Sequence, residues 1–287
     1  MESTETTIHS STHKVEENPQ GKNTMKDILV EEDGRINYYP KCDAKIWLRS
    51  CTQEVTNPLQ GEKTGTIPEW LHGSLIRNGP GRIKVGESTY NHLFDGSSLL
   101  HRFHFNKGEI TYQNRFLQST SYIKDTQAQR IVVNYFGTRA HPDPCKSILK
   151  NIASKFSIEE QFSDNAQISL YPYGDGLYAL TETPFMYRVN PETLETHQKV
   201  DMTKYVSVFT HTAHPHVEED GTVYNIGQGV GPTGPKYHIC QFPKGENHSQ
   251  GNKNPTFKKA KIVASVSARW SMNPCYMHSF AATPNYW

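Results

Sequence analysis

From Ile67 onward, apolar and polar positions alternate in short runs separated by turn residues, the period-two signature of half-buried strands. Leu99, His101, Phe103 and Phe105 fall on one strand face. Asn106-Lys107-Gly108-Glu109 then makes a turn, and Ile110 and Tyr112 resume the alternation, as a hairpin does. Ile168 and Leu170 run into a turn at Gly174-Asp175-Gly176, and Tyr178 and Leu180 follow it. Asn190-Pro191-Glu192-Thr193 and Glu219-Asp220-Gly221-Thr222 are two further breaks, and Tyr224 and Ile226 suit a strand after the second. The chain therefore reads as a succession of antiparallel hairpins with little room for helix. Sandwich, closed barrel and propeller all fit this pattern, and periodicity does not choose among them. A propeller blade takes roughly 40–50 residues, so the ordered region would supply only part of a full ring.

Two stretches depart from the alternation. Residues 1–24, rich in Ser, Thr, Glu and Lys, lack any periodicity and read as a disordered tail, which leaves 25–287 as the folded domain. After Pro142-Asp143-Pro144, the string CKSILKNIASKFS (145–157) places Ile148, Leu149, Ile152 and Phe156 on one helical face. Lys146, Lys150 and Lys155 stand among its remaining positions. Such a stretch is either a surface helix packing its apolar face inward or an amphipathic segment lying in a membrane interface. Cys145 beside it is either a plain buried thiol or a site of acylation.

Composition narrows the class. The 287 residues carry 30 Lys and Arg against 29 Asp and Glu, a net charge of +1, with no basic run interleaved with aromatics. Nothing in this suggests a nucleic-acid footprint. The 15 Tyr and 12 Phe favour strands and can line an apolar cavity. Five cysteines, at 42, 51, 145, 240 and 275, form no C-x-x-C pair and are odd in number. Neither a disulfide framework nor a zinc ribbon is indicated, and a reducing, cytoplasmic compartment follows. The first residues contain no apolar core of a secretory signal, and no apolar run approaches the roughly 20 residues of a membrane span.

The chemistry-bearing candidates are histidines. In Thr212-Ala213-His214-Pro215-His216 the proline fixes φ and removes a ladder donor, which favours a strand end or edge. A histidine there can point into a channel shared by several strands. Tyr276-Met277-His278-Ser279-Phe280 offers a second, in a short aromatic run. The separation, 278 − 214 = 64 positions, must be closed by the fold. Each histidine is either a hydrogen-bonded structural residue or a metal ligand. Glu182, in Thr181-Glu182-Thr183-Pro184-Phe185, closes an apolar strand. It is either a solvated strand end or an acceptor for the ring N–H of a metal-bound histidine, fixing that ring's tautomer.

These residues stand in longer strings. GSLIRNGPG (73–81), HLFDG (92–96), PDPCK (142–146), TETPF (181–185), TAHPH (212–216), DGTVYNIG (220–227) and YMHSF (276–280) resemble the motifs of the carotenoid cleavage oxygenase family. The resemblance runs from about Tyr39 to Trp287. IWLRSC (46–51), RIVV (130–133) and TETPFMYRVNP (181–191) are most similar to the insect isomerooxygenase branch.

The resemblance implies an all-β, seven-bladed propeller with Fe(2+) on its axis, held by four histidines and oriented by three glutamates. By motif, His214 corresponds to the first iron histidine, His278 to the second and Glu182 to the first orienting glutamate; His216 belongs to its motif without an iron bond. The implied reaction is cleavage of a carotenoid by dioxygen, central for β-carotene-like substrates and yielding retinal, with isomerisation to the 11-cis form in insect members. No protein acid–base residue is required. The 142–157 stretch, with Cys145, Ile148, Leu149, Ile152 and Phe156, corresponds to the membrane-facing tunnel entrance, which implies a cytoplasmic protein peripherally associated with membrane. The sequence stops before the positions of the third and fourth histidines and the other two glutamates. It is expected to be an incomplete propeller, inert by itself. Three alternatives stand beside the oxygenase: a retinoid ester isomerohydrolase on the same scaffold, a non-catalytic carotenoid-binding product, and a propeller interaction module without metal.

Overall fold

The computed structural model describes residues 29–30, 36–37, 46, 48–140, 163–174, 176–245, 255–283 and 285–287. The tail read at 1–24 and the stretch carrying Cys145, Ile148, Leu149, Ile152 and Phe156 lie outside these residues. The chain divides into two units, 1–47 and 48–287. In the first, β1 (Leu29–Val30) pairs antiparallel with β2 (Ile36–Asn37).

The second unit is built from antiparallel sheets laid down in chain order. Strands β3 (Leu59–Gln60) and β4 (Gly73–Arg82) come first, followed by a small hairpin of β5 (Lys84–Val85) and β6 (Ser88–Thr89). With β7 (Ser97–Asn106) and β8 (Glu109–Phe116) they give a four-stranded sheet of order β3-β8-β7-β4. The hairpin expected around 106–109 forms, with Asn106 opposite Glu109. Its two turn residues, Lys107 and Gly108, both have positive φ, 49° and 76°. Left-handed residues at both positions give the turn a twist that matches the flanking strands.

Helix α1 (Thr120–Ala128) was not legible in the apolar pattern. Its N-cap is Ser119, whose hydroxyl accepts from the Tyr122 N–H at 3.1 Å. Its buried residues are Ser121 and Asp125, so the inward face is polar and carries no apolar stripe. Asp125 is satisfied by the Val132 N–H (2.8 Å) and the hydroxyls of Tyr135 (2.7 Å) and Tyr90 (3.0 Å).

Strands β9 (Ser169–Tyr173), β10 (Gly176–Leu180), β11 (Phe185–Val189) and β12 (Thr196–Asp201) form a four-stranded meander. The expected breaks at 174–176 and 190–193 separate its strands. Gly174 is required twice over: its φ is +60°, and a Cβ there would lie 1.9 Å from the Thr256 hydroxyl. The last sheet contains β13 (Thr210–His211), β14 (His216–Val217), β15 (Val223–Gly231), β16 (Gly234–Phe242) and β17 (Lys261–Ser267). Its order is β13-β15-β16-β17, with β14 also on β15.

Burial on both faces explains why β10 reads as an uninterrupted apolar string. Tyr178 and Leu180 join a core with Tyr173, Val208, Val223, Phe242 and Phe257, towards the last sheet. Ala179, with Leu177 packed beside it, joins Leu100, Leu117, Tyr187 and Val189, towards the first. Each sheet is thus sandwiched against the next, and the apolar area removed from water is what holds the stack together. Among the described residues, no helix is long and apolar enough to cross a membrane.

Candidate metal centre

The turn bearing His214 is shaped by a mismatch in the last sheet. His211 lies opposite Gly227 and His216 opposite Tyr224, so four residues, 212–215, stand across from two, Asn225 and Ile226. The chain must bulge there, and Pro215, which has no N–H to donate, sits within the bulge. Side chains rigidify it. The Thr212 hydroxyl donates to Asn225 Oδ1 at 2.9 Å and accepts from the His214 N–H at 3.1 Å. Asn225 Nδ2 in turn donates to the Thr212 carbonyl at 2.9 Å.

Residues 275–280 are held alongside by side-chain hydrogen bonds. Gln228 Nε2 donates to the Cys275 carbonyl at 2.5 Å, and the Cys275 N–H donates to the Tyr237 hydroxyl at 2.5 Å. His216 Nε2 donates to the Phe280 carbonyl at 2.7 Å, and the two rings meet edge to face at 4.6 Å. His216 thus anchors this segment to β14.

The anchoring brings His278 to His214. Their ring centroids are 4.6 Å apart and the planes are inclined by 62°. Glu182, two residues beyond β10, reaches the same place: its Oε1 accepts from His278 Nδ1 at 2.6 Å. The Tyr276 hydroxyl spans both oxygens of the carboxylate, at 2.6 and 2.5 Å. A carboxylate oxygen accepts, so Nδ1 of His278 carries the proton of this contact and Nε2 is the nitrogen left for a ligand. All three residues selected from sequence therefore meet in one cluster. The His278 side chain is 57% exposed, which leaves that nitrogen accessible to a ligand.

Electrostatics favour neutral imidazole at His214. Burial and the neighbouring His278 lower its pKa, and the Glu182 charge only partly offsets them. The Tyr276 phenol is raised by burial and by its bond to, and the charge of, Glu182, so it stays a donor. Two imidazoles, one of them with its tautomer set by a carboxylate, are a donor set that suits a borderline divalent transition metal. Among the described residues, no group of three or more His, Cys, Asp or Glu side chains is arranged to hold a metal.

Two members of the site escaped sequence reasoning. Tyr276 acts on a residue 94 positions away, a contact no local pattern encodes. His211 is buried on β13, and its Nδ1 donates to the Thr212 carbonyl at 2.9 Å. It lines a cavity with Glu182, Tyr276 and Met277. Its place one residue before the Thr212-Ala213-His214-Pro215-His216 string was the available signal.

Comparison with known proteins places this geometry in context. Residues 48–287 match the family described as retinal pigment epithelial membrane protein, RPE65. The chain is 52% identical over 248 residues to the carotenoid isomerooxygenase of Galleria mellonella, covering 86% of the chain and 47% of that protein. Identity is 48% over 254 residues with the carotenoid isomerooxygenase of Drosophila melanogaster, covering 88% and 40%. It is 45% over 236 residues with the β,β-carotene 15,15'-dioxygenase of Mus musculus, covering 82% and 42%. The chain thus spans about half the length of the curated relatives it matches. Among solved structures, a chimera of apocarotenoid oxygenase and RPE65 superposes with a TM-score of 0.61 at 22% identity, over 84% of this chain and 47% of the other. A Synechocystis apocarotenoid oxygenase gives 0.60 at 22% identity, over 83% and 46%. These structures share the fold, and on the match across 48–287 the chain belongs to the RPE65 family of carotenoid oxygenases.

Proposed function

We propose that this chain supplies the opening blades of a seven-bladed propeller and two ligands, His214 and His278, of an Fe(2+) centre that cleaves a carotenoid with dioxygen. The observation that carries this reading is the convergence of the two rings at 4.6 Å with Glu182 on the far nitrogen of one of them. The relatives' names, carotenoid isomerooxygenase and β,β-carotene 15,15'-dioxygenase, support the same substrate class. When bound, iron would supply what no side chain here can, activation of dioxygen towards an alkene.

The chain's own residues prepare that chemistry. His214 is set by the bulged turn, and His278 is set by Glu182, which fixes its tautomer and raises its basicity as a ligand. Tyr276 holds the Glu182 carboxylate from the other side, so neither ring nor carboxylate is free to rotate away. A polyene offers no hydrogen-bonding groups, so the position of the scissile bond must be selected by the shape of an apolar tunnel. Central cleavage of a β-carotene-like substrate would release retinal, and the relatives' name, carotenoid isomerooxygenase, supports an isomerisation alongside it. The 142–157 stretch would deliver the substrate from a membrane surface.

Two imidazoles from one chain are a partial ligand set, so the 287-residue chain is expected to bind metal weakly and to turn over no carotenoid. The test is titration of the purified chain with Fe(II) and with Co(II) under nitrogen, followed by product analysis with β-carotene and with a retinyl ester. Weak binding abolished by His214→Ala and by His278→Ala supports the reading. Binding unaffected by either substitution refutes the site, and stoichiometric iron with turnover refutes the partial set. Aldehydes from β-carotene identify an oxygenase; an alcohol from the ester would identify an isomerohydrolase instead.

A further inference from the structure

His211 lies near the site without a part in the proposed metal chemistry, and among the described residues its ring is incompletely satisfied. The residue is 5% exposed. Nδ1 faces the Thr212 carbonyl at 2.9 Å and the Asn225 amide nitrogen at 3.4 Å. That amide already donates to the Thr212 carbonyl and the Tyr173 hydroxyl, and the shorter contact is to a carbonyl that can only accept, so Nδ1 is the protonated nitrogen. Burial lowers its pKa, which keeps the ring neutral. Nε2 is then a buried acceptor, and it has no hydrogen-bond partner among the described residues. Leaving such a group unpaired costs about 1–3 kcal/mol.

The ring lines a cavity of ≈ 70 Å³ together with Glu182, Thr210, Gln228, Tyr276 and Met277. The occupant must donate a hydrogen bond to Nε2. Neither dioxygen nor a hydrocarbon carotene has a hydrogen-bond donor to give, so the β-carotene-like substrate proposed above does not qualify. Water does, and the cavity has room for more than one. Glu182 offers a second anchor. Its carboxylate has about four acceptor positions and, among the described residues, receives protons from Tyr276 and His278.

We infer that a bound water in this cavity donates one proton to His211 Nε2 and the other to the Glu182 carboxylate. His211 is then a positioning residue with two functions. Through Nδ1 it braces the turn that carries His214, and through the water it restrains the carboxylate that orients His278. The consequence for a metal rests on the proposed ligand roles; the water itself does not.

The test uses the isotopically labelled 287-residue chain without metal. Long-range 1H–15N correlation of the imidazoles should show His211 in the Nδ1–H form. Water-selective NOE spectra should show a long-lived water at His211 Hε1 and at the Met277 methyl. His211→Phe should reduce the Met277 cross-peak at least several-fold, whereas His211→Gln, which keeps an acceptor, should retain it. An Nε2–H tautomer, no water cross-peak at Hε1 in the folded chain, or a full-strength peak in His211→Phe overturns the inference. Should His211→Phe not fold, the two wild-type readouts still decide. A chain that shows this water but binds no metal would sink the metal reading and leave this one standing.

Discussion

Asp164 carries a stability effect large enough to isolate. Its side chain is 4% exposed. Oδ1 accepts from the Ser121 N–H (2.8 Å) and hydroxyl (2.6 Å), and Oδ2 from the Tyr187 hydroxyl (2.7 Å) and the Thr120 N–H (3.2 Å). Lys199 stands 2.9 Å from Oδ2. The carboxylate therefore receives the first N–H groups of α1, where the helix dipole favours negative charge. Burial alone would raise its pKa, but Lys199 and the hydrogen bonds from Ser121 and Tyr187 outweigh it and bring it from 3.8 down to about 2. A folded-state value below the unfolded one means that ionised Asp164 stabilises the fold above the unfolded pKa, and that this is lost as pH falls through the folded one. The shift corresponds to about 2 kcal/mol near neutral pH, falling below about 1 kcal/mol near pH 2.5. Asp164→Asn should therefore cost at least about 2 kcal/mol in urea unfolding near pH 7, and the penalty should shrink by more than about 1 kcal/mol near pH 2.5. A penalty of the same size at both pH values would show that charge is not what Asp164 contributes.

Three further outcomes are expected. Gly86→Ala should destabilise by more than about 2 kcal/mol in thermal unfolding, because φ is +56° and the new Cβ would lie 2.0 Å from the rigid Gln129 carbonyl oxygen. Leu180→Ala, at a fully buried position between two sheets, should cost about 2–5 kcal/mol in urea unfolding. Glu182→Gln should weaken Co(II) binding about 10–100-fold in a spectroscopic titration, since it removes the charge on which His278 Nδ1 rests, and unchanged affinity would remove the orienting role assigned to it.

The strands and their turns were legible because their causes are local. Alternation from Leu99 to Tyr112 reflects the period of the strand, and Lys107-Gly108 reflects which residues accept positive φ, so a window of a dozen residues contained the hairpin. The helix at Thr120–Ala128 was hidden for an equally physical reason. Its inward residues, Ser121 and Asp125, are polar and are satisfied by partners elsewhere in the chain, so the apolar stripe that usually marks a helix is missing. The choice among sandwich, barrel and propeller stayed open to periodicity because all three present the same alternation; how one sheet stacks on the next is a matter of long-range packing.

The same division runs through the site. The chain's own residues determined where strands and turns fall, and its recognisable strings singled out His214, His278 and Glu182. Only the tertiary structure decided that rings 64 positions apart in the chain stand 4.6 Å apart, that Tyr276 shares the Glu182 carboxylate, and that His211 lines a cavity with one nitrogen unpaired among the described residues. Backbone preferences act over a few residues, whereas a ligand set depends on bulges, anchors and buried partners contributed by three different stretches of chain. No local rule connects those stretches; the packing of the sheets does.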